Sequence, residues 1–309
     1  MFKKIVVAGI ACLVILSIIV IAIVNSNKDF SANKVAVIYI DGVIVGGRGH
    51  SSFIGADGGT DAIIKQIRKA REDRSVQAVV IRINSPGGSA PASQEVGEEV
   101  LRLRESGKPV VVSMADMAAS GGYWIAACSD KIYANPSTLT GSIGIYVPYA
   151  NLEELYKKIG LRQEKIKSGA HKDILSPERE MSTEERAIIQ SMVDDIYDQF
   201  LQVIAKGRNM EYEQVKALAD GRIFTGRQAK EVGLVDALGN MYDAIEDAAR
   251  MAGIQGTPQI VEYGKTSPFS ILFGARSQSE LWKFFAKKFV DAPFLIAPMA
   301  IFHPPWVQN

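Results

Sequence analysis

A long uncharged apolar run near the N-terminus constrains this chain more than any other feature. Residues 5–24 read IVVAGIACLVILSIIVIAIV and contain no charged side chain. A helix of this length measures about 30 Å, which matches the hydrocarbon core of a bilayer. A cleaved signal peptide normally has a shorter apolar region followed by a small-x-small cleavage site, and residues 25–28 offer no such site. We therefore predict an uncleaved transmembrane anchor.

The charges beside this run predict its orientation. Lys3, Lys4 and the terminal amine precede it, whereas Lys28 and Asp29 follow it almost in balance. The positive-inside rule then makes residues 1–4 a cytoplasmic stub and places the rest of the chain outside the cell membrane. Residues 25–33 are polar and are interpreted as a linker.

Composition excludes several classes of function. The formal net charge is +1, from 35 basic and 34 acidic side chains, which gives no electrostatic case for a nucleic-acid partner. A disulfide between Cys12, in the apolar run, and Cys128 would cross a membrane boundary. His50, His171 and His303 lack the spacing of metal ligands. We predict no metal and no cofactor.

Beyond the linker, residues 34–263 alternate short β-branched runs with helical periods. The predicted strands are Val35–Ile40, Ala78–Ile83, Val110–Ser113, Lys131–Tyr133, Ile143–Tyr146, Gln163–Lys167 and Gln259–Tyr263. The predicted helices are Asp61–Arg71, Ser93–Arg104, Thr183–Lys206, Tyr212–Ala219, Gly226–Val232 and Met241–Met251, the long one with a core face of Ile188, Met192, Ile196 and Val203. This alternation predicts an α/β fold with a mostly parallel sheet.

Two glycine-rich turns stand at strand-to-helix junctions. Residues 84–89, NSPGGS, contain adjacent glycines that can point backbone N–H groups at a ligand, as an oxyanion hole requires, or can form a plain turn. Residues 117–123, MAASGGY, place Ser120 at a corner where it is either an exposed nucleophile or a helix N-cap. A serine nucleophile needs a base, and from the residues alone both His171 and Lys172 are candidates.

Five motifs in unchanged order resemble one family across Val35 to Met251. They are NSPGGS, MAASGGYW, TGSIGI, SGAHKDILSP and GRIFTGRQAKEVGLVDALG. Together they are similar to the bacterial signal peptide peptidases of the SppA (protease IV) type, in the short single-repeat form. The resemblance implies the fold of ClpP and the crotonases, a right-handed spiral of ββα units, here preceded by one transmembrane helix.

The resemblance also implies site residues and a task. It places the nucleophile on Ser120, the general base on Lys172, the oxyanion donors on the backbone N–H groups of Gly87 and Gly121, and a lysine-orienting hydroxyl on Ser142. It implies a membrane-anchored serine endopeptidase that digests remnant signal peptides and other small hydrophobic peptides. It further implies a homo-oligomeric ring in which serine and lysine come from neighbouring subunits.

Three alternatives share the fold. A ClpP-like protease would use His171 as its base, and a crotonase would use the glycine turns to bind a coenzyme A thioester. An extracytoplasmic location argues against the crotonase, because coenzyme A is cytoplasmic. A membrane scaffold without catalytic activity would keep the ring and lose the chemistry.

The C-terminal extension, residues 264–309, lies beyond the resemblance. Aromatic residues from Trp282 to Phe289 alternate there with lysines, a pattern typical of a basic amphipathic helix on a membrane surface. Docking in a subunit groove, self-processing by the enzyme, and a simple packed or flexible extension are the other hypotheses.

Overall fold

The computed structural model describes residues 33–48, 51–52, 55–56 and 59–264. The predicted anchor at residues 5–24, nearly all of the linker and residues 265–309 lie outside the described residues. In the described ranges, no helix combines the length and the apolar character that a membrane crossing needs.

Strands and helices alternate along the described chain. The strands are β1 (Lys34–Asp41), β2 (Ser51–Ser52), β3 (Gly55–Ala56), β4 (Val76–Ser85), β5 (Val110–Ala119), β6 (Lys131–Ala134), β7 (Leu139–Gly141), β8 (Ile223–Thr225), β9 (Ala237–Leu238) and β10 (Gln259–Tyr263). The helices are α1 (Thr60–Glu72), α2 (Ala90–Glu105), α3 (Gly121–Ala127), α4 (Glu153–Lys158), α5 (Thr183–Arg208), α6 (Tyr212–Leu218), α7 (Gly226–Glu231) and α8 (Met241–Met251).

The main sheet is mostly parallel, as the alternation predicts. Its strand order is β10-β1-β4-β5-β6-β9, and each neighbouring pair in that order is parallel. Strand β7 pairs in parallel with the end of β5, and β8 adds an antiparallel strand to β7. The prediction of a mostly parallel α/β sheet is confirmed, and the arrangement is consistent with a ClpP-like fold.

Helices cover both faces of the sheet, which explains why its central strands are apolar at nearly every position. One face packs with α1, α2, α3 and the end of α5 into the larger buried cluster. The other face, which includes Val37, Val80 and Val111, packs against Ala244 and Ala248 of α8. Strand β5 is buried from Val110 to Met114 and again at Ala118 and Ala119, although Asp116 between them is exposed.

Two predicted strands are wrong. Residues 143–146 and 163–167 form no strand, because the chain leaves the sheet after Gly141 and finds no strand neighbour. Residues 146–182, which we call the lysine arm, contain a single buried residue, Ser176. The apolar side chain of Ile166 is fully exposed there. The segment around it is predicted to be a strand, but it has no sheet to join.

The long helix α5 begins as predicted but packs differently. Ser182 and Glu185 form the capping box at its start. The predicted core face is wrong in its first half, because Ile188 is 36% and Met192 53% exposed. The buried apolar residues of α5 are instead Phe200, Leu201 and Ile204, in its second half. Only that half packs against the sheet domain.

Candidate active site

Ser120 occupies a strained corner between β5 and α3. Its backbone has φ 51° and ψ −119°, a conformation that costs a non-glycine residue about 1–3 kcal/mol. The surrounding structure fixes this conformation through both backbone groups. The Ser120 N–H donates to the Gly141 carbonyl at 2.8 Å, and the Ser120 carbonyl accepts from the Trp124 N–H at 2.9 Å. The hydroxyl makes no capping hydrogen bond, so the N-cap interpretation is not supported.

The first glycine turn lies directly against this corner. A Cβ atom added to Gly87 would stand 2.7 Å from the Gly121 nitrogen and 2.8 Å from the Ser120 Cβ, and Gly87 has φ +100°. Only glycine fits at such a separation. A Cβ atom added to Gly121 would stand 3.3 Å from the Gly88 nitrogen. The two turns that the sequence predicts to carry chemistry are therefore in contact.

The backbone amides at this contact differ in their hydrogen bonds. The Gly87 N–H donates to the buried Ser85 Oγ at 3.0 Å, so it is already engaged. Within the described part of the chain, the amides of Gly88 and Gly121 have no hydrogen-bond partner. Unpaired amides side by side next to a serine can together bind an oxyanion. The sequence does not single out Gly88, because two adjacent glycines in a motif cannot be told apart without their backbone angles.

Ser142 reaches the same region through strand register. Ala119, the residue before Ser120, pairs with Gly141 of strand β7. Ser142 directly follows Gly141 and therefore lies beside the serine corner. Ser142 has φ 49°, and its N–H donates to the Arg222 carbonyl at 2.8 Å. The motif TGSIGI thus borders the serine corner.

Lys172 belongs to a different environment. It lies in the lysine arm, is exposed, and its N–H donates to the Gly169 carbonyl at 3.3 Å. Among the described residues of one chain, its side chain forms no hydrogen bond or ion pair, and none joins it to Ser120. The structure therefore brings together Ser120, the glycine turns and Ser142, whereas no hydrogen bond or ion pair connects Lys172 to them among the described residues of one chain.

His171 faces acidic residues rather than the serine. Its Nε2 lies 3.5 Å from Glu184 Oε1, and its Nδ1 lies 3.9 Å from Glu185 Oε1, both at the start of α5. The imidazole is 38% exposed, and no hydrogen bond joins it to Ser120 in the described part of one chain. This environment does not favour a serine–histidine pair within one chain.

Other reactive groups of the domain are unsuited to the chemistry. Cys128 is buried, and burial raises the pKa of its thiol to about 12, so it stays protonated at neutral pH. In the ranges that the structure covers, no group of three or more His, Cys, Asp or Glu side chains is arranged to hold a metal ion. The serine corner remains the best candidate for a nucleophilic site.

Comparisons with known proteins agree with the motif resemblance. The model of peptidase family S49 matches residues 102–255, which include Ser120, Ser142 and Lys172. A putative protease of Synechocystis sp. is 44% identical over 227 residues, covering 74% of this chain and 77% of that protein. A putative signal peptide peptidase SppA of Enterococcus faecium is 37% identical over 267 residues, covering 77% of this chain and 78% of that one.

A longer relative shows the same similarity over part of its length. Protease 4 of Haemophilus influenzae is 39% identical over 221 residues, which are 71% of this chain and 35% of that protein. The family resemblance is therefore confirmed by relatives that this chain matches over most of its length. The chain belongs to peptidase family S49, a serine peptidase family, as an SppA-like protease.

Proposed function

We propose that this protein is a membrane-anchored serine endopeptidase with Ser120 as nucleophile and Lys172 as general base. The observation that carries the proposal is the strained Ser120 corner beside two unpaired glycine amides. Strained serines at strand-to-helix turns are typical of hydrolase nucleophiles, because the turn exposes the hydroxyl to substrate. No other described feature of the domain explains why a serine is held at positive φ there.

The chemistry follows from these groups. The neutral Lys172 amine removes the proton from Ser120 Oγ, which attacks the peptide carbonyl and forms a C–O bond. The carbonyl oxygen becomes an oxyanion, and backbone N–H groups stabilise it. The intermediate then expels the amine, which takes the proton from the Lys172 ammonium. Water hydrolyses the acyl-enzyme by the same proton path, and Ser120 regains its hydrogen.

The oxyanion donors in this proposal are the amides of Gly88 and Gly121. Gly87, which the family resemblance suggested, donates its N–H to Ser85 Oγ and instead makes the close approach possible. Loss of one such donor typically costs about 2.7–4 kcal/mol of transition-state stabilisation. Ser142 would orient the Lys172 amine once the two groups meet.

In this proposal Lys172 approaches Ser120 from another copy of the chain, and the exposed surface of the lysine arm supports that arrangement. Large apolar side chains are exposed along the arm and the first half of α5: Tyr146, Leu155, Ile159, Ile166 and Met192 are each at least half exposed. Extended exposed apolar surface marks protein interfaces. We therefore propose a homo-oligomeric ring in which the arm of one subunit brings Lys172 to Ser120 of its neighbour.

The substrates in this proposal are cleaved signal peptides and similar small hydrophobic peptides. The name of the Enterococcus faecium relative supports that substrate class. Residues 5–24 would hold the enzyme in the membrane in which such peptides remain, with the protease domain on the extracytoplasmic side.

A comparison of base variants tests the proposal. The full-length protein, solubilised in detergent, is treated with a fluorophosphonate probe and assayed on an apolar fluorogenic peptide. We expect Ser120 to be labelled, Lys172→Ala to be inactive and His171→Ala to keep most activity. Full activity of Lys172→Ala would exclude the lysine base, and loss of activity in His171→Ala alone would favour a ClpP-like mechanism. Absence of labelling would favour the inactive scaffold.

A further inference from the structure

A cluster of charged side chains lies directly beside Lys172. The next residue, Asp173, binds Arg179 through both carboxylate oxygens: Nη2 donates to Oδ1 at 2.9 Å and Nε donates to Oδ2 at 3.1 Å. The same guanidinium binds both oxygens of Glu185, Nη1 to Oε2 at 2.8 Å and Nη2 to Oε1 at 2.5 Å. Arg179 therefore joins two carboxylates that belong to different parts of the chain.

One of these carboxylates is fixed on a helix. Glu185 is only 3% exposed and completes the capping box of α5. The Ser182 N–H donates to Glu185 Oε2 at 3.0 Å, and the Glu185 N–H donates to Ser182 Oγ at 3.1 Å. Glu185 thus provides a firm anchor, because the helix start holds it independently of Arg179.

The other carboxylate belongs to the turn that carries Lys172. Lys167 closes this turn from the opposite side, with Nζ 2.6 Å from Asp173 Oδ1 and 3.0 Å from the Ala170 carbonyl. The turn has almost no core beneath it, since Ser176 is the only buried residue of the lysine arm. The ion pairs of Asp173 therefore hold the turn in place together with its backbone hydrogen bonds, with little help from a buried core.

The cluster keeps its charges over the pH range in which a lysine base works. Hydrogen bonds from Arg179, and then from Lys167, hold the pKa of Asp173 well below its usual range. Arg179 and the Ser182 amide together lower the pKa of Glu185 to about 2. His171 also faces Glu185, at 3.9 Å. The carboxylates are therefore anionic at neutral and alkaline pH.

We propose that Arg179 is a positioning residue for the reaction: by tying Asp173 to Glu185, it fixes the turn that presents Lys172 to the neighbouring Ser120. The inference rests on the proposed role of Lys172 as the base. Without the guanidinium, Asp173 and Glu185 face each other as like charges, and the turn is free to shift. A misplacement of about 1 Å can lower the rate about 100-fold.

Matched variants test the inference through kcat and KM. We expect Arg179→Gln to lower kcat about 100-fold with little change in KM, because Arg179 acts on the base and not on the substrate. Arg179→Lys should recover part of the loss, since one ammonium cannot bind both carboxylates in the same bidentate way. Arg250→Gln is the control, because Arg250 pairs with Asp247 on the distant helix α8 and should leave kcat unchanged.

Amide hydrogen exchange tests directly whether Arg179 holds the turn that carries Lys172. The amides of Lys172, Ile174 and Ser176 donate within the turn, to Gly169, His171 and Asp173, at 3.3, 3.1 and 3.0 Å. We expect them to exchange faster in Arg179→Gln and to be unaffected in Arg250→Gln. Unchanged exchange together with unchanged kcat would overturn the inference. If Lys172→Ala were fully active, the proposed base would be wrong. The exchange data would still show whether Arg179 fixes the turn by linking Asp173 to Glu185.

Asp173→Asn breaks the same link and leaves the helix cap of α5 unchanged. The inference therefore stays testable if Arg179→Gln does not fold. It leaves the Arg179–Glu185 pair in place and loosens only the turn. We expect a similar loss of kcat, and a double variant Arg179→Gln/Asp173→Asn no worse than either single variant, because both break one link. Losses that multiply in the double variant, or a fully active Asp173→Asn, would contradict the inference.

Discussion

The serine corner and the lysine arm of this protease are built by different physical means. Ser120 directly follows β5, most of which is buried, and close glycine contacts and two backbone hydrogen bonds fix its position. Lys172 lies on an exposed turn. The ion pairs that Lys167 and Arg179 form with Asp173 and Glu185 hold this turn in shape. The first region is determined by packing within one chain, and the second by charge.

This difference indicates what each region still needs. The serine corner already holds the proposed nucleophile, the proposed oxyanion amides and Ser142 together in a single chain. The arm carries the proposed base, whose side chain has no hydrogen-bond or ion-pair partner among the described residues of one chain, and it exposes large apolar side chains. In an assembled enzyme one neighbouring subunit would meet both needs. It would cover the apolar side chains of the arm, and its Ser120 would lie next to Lys172. Activity would then depend on assembly, and an isolated subunit would not cleave peptides.

Subunit mixing gives the largest expected effect and tests this division directly. Ser120→Ala and Lys172→Ala should each lose activity on the order of 10⁴-fold or more, as in other enzymes that lose a nucleophile or base. Co-expressed in equal amounts, they should regain about a quarter of wild-type activity, because a head-to-tail ring with random subunit order pairs an intact serine with an intact lysine at that frequency.

Peptide hydrolysis by the purified mixed assembly measures the recovery. The control is a mixture of Ser120→Ala with Ser120→Ala/Lys172→Ala, which has no intact serine and should stay inactive. Recovery would establish sites shared between subunits. An inactive mixture of correctly assembled protein would show that serine and lysine come from the same chain, and that the arm does not serve a neighbouring subunit.

Gly87→Ala should disrupt the packed region alone. The new Cβ atom would stand 2.7 Å from the Gly121 nitrogen and would require a residue with a side chain to adopt φ +100°. We expect kcat to fall about 100- to 1000-fold, the usual effect of a lost oxyanion donor, while assembly is kept. Steady-state kinetics and size-exclusion chromatography measure the two properties.

Gly46→Ala is the matched control, because a Cβ atom at Gly46 meets no heavy atom within 4 Å. It should behave as wild type. If Gly87→Ala also retained wild-type kcat, the contact between the two glycine turns would have no catalytic role.

The sequence predicted the packed region better than the arm, for physical reasons. Strands covered on both faces produce continuous apolar runs, and β1, β4 and β5 were located from those runs. The glycine turns were located because adjacent glycines after a predicted strand can point backbone N–H groups at a ligand, although the same pattern also fits a plain turn. Which glycine amide is free depends on a hydrogen bond to Ser85, and no sequence pattern records that bond.

The arm and the first half of α5 were harder to predict, because the spacing of apolar residues does not show whether the same chain buries them. Gln163–Lys167 was interpreted as a strand, and Ile188 and Met192 as core, although one chain leaves them exposed. In the same way, nothing in the sequence distinguishes Arg179 from the other arginines. The structure shows that it binds the carboxylates of Asp173 and Glu185. Ion clusters that join residues six apart leave no periodic signal.

The two halves of α5 offer a comparison within one helix. Phe200 is 1% exposed and stacks on Trp124 with ring centroids 4.8 Å apart, so Phe200→Ala should lower the free energy of unfolding by about 3–5 kcal/mol. Met192 is 53% exposed, so Met192→Ala should change it by less than about 0.5 kcal/mol. Chemical denaturation at fixed protein concentration measures both.

Sedimentation velocity should show the opposite order of effects. Met192→Ala removes apolar surface from the proposed interface and should weaken assembly, whereas Phe200→Ala acts inside one subunit. A Met192→Ala protein that assembles as tightly as wild type would remove this part of α5 from the interface.

Acid should loosen the lysine arm before the packed domain, and this is the smallest effect we expect. The folded pKa of Glu185 is about 2, below its ordinary value of 4.5, and the pKa of Asp173 is lowered as well. Their stabilising contribution is therefore fully present above pH 4.5 and is lost as the pH falls towards about 2. Lys167, Arg179 and His171 face these carboxylates and lose their partners when the carboxylates are protonated.

Hydrogen exchange at about pH 3, corrected for the intrinsic rate at that pH, should show faster opening of the turn amides at Lys172 and Ile174 than at neutral pH. Amides of β4 and β5 should stay protected, because apolar packing does not titrate. In Asp173→Asn the turn is already loose at neutral pH, so acid should change it less. Simultaneous opening of β5 and the turn would mean that charge and packing are not separable in this protein.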